Sequence, residues 1–209
     1  MTTPASHPGR RFTAVAVILA PVVFLLSDVA YISAGEGINN GVLGGTIGIW
    51  SVILLGWALV GISRALEPVA PRGALALLVL AIPAMVGGAA FNLNALHRDH
   101  FGNDFMEAAD SGGDAIGLLA FLPWGWCAPA ALVVAGVFVW RTAIAPRWAG
   151  AVTALAGVLF VSARPAALDA LAVVCDVTMV LGLVPIGLAL LRRSSASEDL
   201  GATRVPAGA

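Results

Sequence analysis

Residues 12–34 read FTAVAVILAPVVFLLSDVAYISA, with Asp28 as the single Asp, Glu, Lys or Arg among them. A run of about 20 apolar residues is what one helical crossing of a bilayer requires. Two arginines, Arg10 and Arg11, stand in front of it, so the segment imitates a secretory signal. The run is too long for a signal's apolar core and carries an aspartate near its far end, and it reads instead as a retained first span.

Working outward, the same pattern recurs. Apolar runs cover Val42–Ser63, Gly73–Leu96, Ala115–Trp140, Trp148–Ser162 and Leu168–Leu191, the fifth being the shortest. The chain of 209 residues is 59% hydrophobic and only 11% charged, with mean hydropathy +0.94. Soluble domains carry roughly 25% charged residues, so a water-soluble core does not account for this composition. The expectation is an all-α, six-transmembrane-helix bundle over residues 1–193, followed by a polar, disordered cytoplasmic tail over 194–209. The lipid bilayer is its first partner and the cell membrane its expected location. A net charge of −1 gives no footprint for nucleic acid.

Arginine placement sets the direction of the spans. All eleven basic residues are arginine. With six spans, Arg10, Arg11, Arg64, Arg72, Arg141, Arg147, Arg192, Arg193 and Arg204 fall on one side, and only Arg98 and Arg164 on the other. Cytoplasmic loops collect arginine, so both termini are predicted inside. Glu36, Asp99, Asp104, Glu107, Asp110, Asp114 and Asp169 then fall outside.

Small residues four apart predict close helix packing: Gly44 with Gly48, Ala84 with Gly88, Ala131 with Ala135, and Thr153 with Gly157. Such pairs let backbones approach, the main attraction between helices in lipid. Prolines 21, 83, 123, 129 and 185 lie inside spans and favour kinks. Cys127 and Cys175 sit in apolar runs and read as buried thiols.

Candidate chemistry gathers in the outer half. Asp28 lies roughly 24 Å along the first span, and Asp176 about 12 Å below the outer face in the last, at 1.5 Å per residue. A charged group at such depth costs about 2.5–3.5 kcal/mol on insertion scales, so each must find a cavity, a partner or a proton. The pair is expected to face the bundle interior, to share one cavity with Asn92, and to hold at least one proton at neutral pH. The alternative is structural glue between helices.

The densest polar stretch, AFNLNALHRDHFGND over 90–104, places Asn92 and Asn94 at the end of span three with His97 and His100 beyond. The two histidines share a helix face but lack a complete ligand set, so no metal and no cofactor is expected. Trp50, Trp124 and Trp126 lie deep in their spans. Beside the acids and Phe91 they are expected to line a pocket that holds a cation over aromatic faces.

These features favour a non-enzymatic membrane protein with an outward-facing acidic pocket for a small or lipid-like ligand or a membrane partner protein. Two alternatives follow from the same residues. One is an embedded enzyme using an aspartic acid as proton donor to an apolar substrate, in the manner of terpene cyclisation. The other is a proton- or cation-coupled transporter. No GxSxG serine motif is present.

Overall fold

The computed structural model describes residues 8–102, 104–105, 115–164, 166 and 168–202, the side chains of 8, 115–124 and 196–202 excepted. Six helices make up the described chain: α1 Pro8–Ala34, α2 Val42–Leu66, α3 Pro71–Phe101, α4 Ala115–Thr142, α5 Arg147–Ala163 and α6 Asp169–Ala202. Five are long and apolar enough to cross a membrane. The exception, α5, is apolar but has 17 residues, about 25 Å at 1.5 Å per residue and at the short end for a span.

Proline and glycine punctuate the chain where the sequence places them. Pro71 opens α3, where its missing N–H costs nothing. Pro146 caps α5. Between α1 and α2 the stretch 35–41 turns through positive φ at Gly37, Asn39 and Gly41. Pro21, Pro83 and Pro185 are accommodated inside continuous helices.

Each helix packs on its successor, and α6 closes back onto α1. The result is a six-helix ring in which the first and last helices are neighbours. Its packing is inverted relative to a water-soluble bundle. Small residues face inward: on α2 the buried face begins Gly44, Gly45, Gly48, Ser51, Val52 and Leu55, a helical spacing. Large apolar side chains such as Leu19, Leu26, Leu75, Val79, Ile82 and Leu181 face out. A surface this apolar has lipid as its natural solvent.

The predicted small-residue pairs sit at close approaches. A Cβ on Gly44 would collide with the Tyr31 ring, and one on Gly48 with Asn92 Oδ1. A Cβ on Gly157 would lie 2.7 Å from the Pro129 carbonyl oxygen. Buried Thr153 meets Gly182 in the same way.

Two helices run past their expected ends. α3 continues through His97 and His100 to Phe101, so residues 90–101 of the polar stretch are helical. α6 continues to Ala202, nine residues into the segment expected to be disordered. Ser194 and Ser195 help to carry it, their hydroxyls donating to the carbonyls of Leu190 and Leu191 at 3.1 and 3.3 Å. No proline falls between Pro185 and Pro206.

The buried apolar side chains form two groups. The larger includes Val17, Phe24, Leu59, Leu77, Leu132, Met179, Leu183 and Ile186. The smaller, near the 35–41 connection, holds Tyr31, Ile38, Ala95, Ala163, Ala172 and Cys175. On α1 the boundary falls between Phe24 and Tyr31. On α6 it falls between Cys175 and Met179. Asp28 and Asp176 occupy those boundaries.

Candidate functional site

Asp28 stands six residues before the end of α1, about 9 Å of helix, and Asp176 seven residues after the start of α6, about 10 Å. Because α1 and α6 are adjacent, equal setbacks bring both carboxyl groups to one level of the ring. Both side chains are fully buried.

A third charge lies between them. Arg164 is the first residue after α5, and its side chain turns into the bundle with 12% exposure. Nη1 donates to Asp28 Oδ1 at 2.8 Å. Nη2 donates to Asp176 Oδ1 at 3.1 Å and lies 2.7 Å from Asp28 Oδ2. That last contact is ionic, without hydrogen-bond alignment, and leaves Oδ2 unsatisfied. The guanidinium therefore engages Asp28 as a fork and Asp176 through one bond. Its carbon also lies 4.6 Å from the centroid of Phe24 and 5.5 Å from that of Phe160. These two rings meet edge to face at 6.2 Å. Planar and permanently charged, a guanidinium suits both carboxylate forks and aromatic faces.

The set is incompletely satisfied. Asp28 Oδ2, Asp176 Oδ2 and Arg164 Nε are buried without a hydrogen-bond partner among the described residues. In ionised form it also carries two negative charges against one positive.

Two connections close the site from the near end of the bundle. The N–H of Ile38 donates to Asp169 Oδ1 at 3.0 Å, and Asn39 Nδ2 donates to the carbonyl of Arg164 at 3.3 Å. The 35–41 strap is thereby fastened across the α5–α6 connection, with Ile38 buried beneath it. The strap depends on its glycines. A Cβ on Gly35 would strike the Asn40 carbonyl, and Gly37 and Gly41 hold positive φ.

Asn92 belongs to an adjoining polar seam. Tyr31, three residues after Asp28 and so on a neighbouring part of the same face, donates its hydroxyl to Asn92 Oδ1 at 3.0 Å. Asn92 Nδ2 donates to Gly88 O at 2.8 Å. Ser27 Oγ donates to the carbonyl of Gly44 at 2.8 Å. Asn92 thus adjoins the acid pair through Tyr31. Asn94 Oδ1 is buried without a hydrogen-bond partner among the described residues.

The remaining expected site residues lie elsewhere. His97 and His100 are exposed near the end of α3, their ring centroids 5.8 and 4.9 Å from that of Phe101 in tilted and edge-to-face arrangements. Among the described residues no three His, Cys, Asp or Glu side chains are grouped to hold a metal. The expected tryptophan pocket requires correction. Trp50 is 63% exposed and Trp126 50%, so both point away from the ring. Trp50 follows Gly48 by two residues, about 200° round the helix from that buried glycine. Trp126 precedes buried Ala128 by the same step. The side chain of Trp124 lies outside the described residues. Phe91 packs toward Gly125. The aromatic faces that hold a cation belong instead to Phe24 and Phe160, and the cation is the protein's own.

Arg164 is the residue that sequence reasoning missed. It stood in view as one of two arginines on the acidic side of the bundle, twelve residues before Asp176. An isolated basic residue on that side, next to spans containing acids, was the available signal.

A ring of apolar helices around a buried charged cluster defines the class: a multi-pass helical membrane bundle. Comparison with protein-family models, curated proteins and solved structures finds no match, and the functional reading rests on the site itself.

Proposed function

We propose that the chain is a non-enzymatic, six-span cell-membrane protein with both termini cytoplasmic, binding a small or lipid-like ligand at the Asp28–Arg164–Asp176 cluster. The observation that carries this reading is the group of three buried, unsatisfied atoms on those three side chains. Each unsatisfied buried polar group costs about 1–3 kcal/mol. A cluster serving only as a staple gains from satisfying its own donors and acceptors. One that leaves Asp176 Oδ2 and the guanidinium Nε without a hydrogen-bond partner, and holds Asp28 Oδ2 by an ionic contact alone, is suited to accept an occupant.

The arginine distribution supports the orientation, since α1, α3 and α5 begin, and α2 and α4 end, beside arginines at one face of the ring. The 35–41 strap then lies outside, and the ligand approaches from there. Proton donation to an apolar substrate is the weaker reading, because both acids face a guanidinium. Transport is weaker too, because the ring beyond Phe24 is filled by Val17, Leu59, Leu132 and Leu183.

The test is extraction. Wild-type protein and Asp176→Asn, reconstituted in nanodiscs, are incubated with a lipid and small-molecule extract of the expressing cells, washed, and analysed by mass spectrometry. A species retained by the wild type and lost from the variant is expected. Identical retention profiles, with identical melting temperatures before and after incubation, would refute the reading.

A further inference from the structure

The surroundings of the Arg164 guanidinium form a cation cage. Two aromatic rings lie at 4.6 and 5.5 Å, and two fully buried carboxylates lie at 2.7–3.1 Å. Phe24 and Asp28 come from α1, Phe160 from α5 and Asp176 from α6, all within helices. The cation comes from the connection after α5. The cage is built into the scaffold and its occupant is tethered to a link.

The occupant also fits incompletely. Among the described residues Nε and Asp176 Oδ2 have no hydrogen-bond partner. A free guanidinium or a primary ammonium carries N–H donors on every side and can address both carboxylates without leaving a donor bound to an alkyl stem. In ionised form the cage sets two negative charges against the single positive charge of Arg164.

The main chain at Arg164 is tied to the strap by Asn39 at 3.3 Å and to its own helix by its N–H donating to Phe160 O at 3.2 Å. Asp169, fastened to Ile38, holds the other side of the same connection. The strap bond therefore bears on the main chain of Arg164, while the four cage residues lie within helices.

From this geometry we infer that Phe24, Asp28, Phe160 and Asp176 form a binding site for guanidinium- or ammonium-bearing ligands, that Arg164 is its displaceable internal occupant, and that the strap at 35–41 is the latch. The inference rests on the ligand-site reading above and names its ligand class. A tethered competitor lowers apparent affinity by the fraction of time it fills the site. Removing the competitor or loosening its latch raises affinity for the same probe.

The experiment uses the full chain in nanodiscs and radiolabelled guanidinium at millimolar concentration, with sodium chloride at equal ionic strength as control. Arg164→Ala is expected to bind saturably, with at least about tenfold higher affinity than the wild type. Adding Asp176→Asn to that variant should abolish binding. Asn39→Ala, which keeps the arginine and loosens the latch, should fall between. It also serves as the independent measurement if Arg164→Ala fails to fold.

Absence of saturable guanidinium binding in both Arg164→Ala and Asn39→Ala overturns the inference. Binding to Arg164→Ala with Asn39→Ala no better than wild type shows a structural arginine leaving a hole, and overturns it as well. If the extraction experiment retains a neutral or anionic ligand while guanidinium binds no variant, the ligand site stands and this inference alone fails.

Discussion

Arg164→Ala, Asp28→Asn and Asp176→Asn remove members of one cluster, yet their costs should differ widely. Arg164→Ala leaves two buried carboxylates facing each other with no cation. Breaking a buried ion pair from one side costs about 3–5 kcal/mol, and losing the two ring contacts adds about 0.5–2 kcal/mol. Asp28→Asn breaks the fork at 2.8 and 2.7 Å but leaves Arg164 paired with Asp176, so the loss is that of a charged hydrogen bond, about 1.5–3 kcal/mol. Asp176→Asn removes the more weakly held acid. Its amide oxygen can still accept from Nη2, and the remaining Asp28–Arg164 pair is electrically balanced. The change should stay within about 1 kcal/mol of wild type, in either direction. Reversible unfolding in mixed micelles, followed by tryptophan fluorescence, measures all three. The order Arg164→Ala, then Asp28→Asn, then Asp176→Asn is expected, with the last still losing ligand. If Asp176→Asn destabilises as much as Arg164→Ala, the excess negative charge is not present in the folded cluster and the charge argument fails.

Three further outcomes follow. Gly48→Ala should destabilise by about 1–3 kcal/mol through overpacking against Asn92, read as a lowered melting temperature. Tyr31→Phe should lose about 0.5–1.5 kcal/mol with its hydrogen bond to Asn92, and should leave the retention of ligand unchanged. A periplasm-dependent reporter fused after Gly102 should give signal, while one fused after Pro68 should not; the opposite pattern would reverse the orientation.

The fold was legible because lipid imposes one constraint on every helix. Apolar runs separated by Pro68, Pro71 and Pro146 located all six helices, though α6 runs eleven residues past Leu191, and the small-residue pairs marked where they touch. Helix ends were less legible. His97 and His100 are polar, and polarity in an apolar chain resembles a loop, yet α3 does not stop until Gly102 supplies a φ of 85°. Tryptophan direction was hidden for a related reason. In a membrane bundle both faces of a helix are apolar, so hydrophobicity does not say which side is inside. The glycines say it, and Trp50 lies opposite Gly48.

The same inversion explains why two buried acids were visible and their partner was not. Asp28 and Asp176 interrupt apolar runs, so a scan for charge at depth finds them. Arg164 lies at a helix end, where arginine is ordinary, and its side chain is long enough to carry charge a full helical turn away from its own Cα. Depth in the sequence and depth in the bundle therefore part company for arginine more than for aspartate. The side of the membrane restores the link. In the proposed six-span orientation nine arginines lie on the cytoplasmic side and two do not. An arginine kept on the acidic side, twelve residues before an aspartate inside a helix, needs a local reason to be there. Here the reason is the two carboxylates it bridges, one on α1 and one on α6.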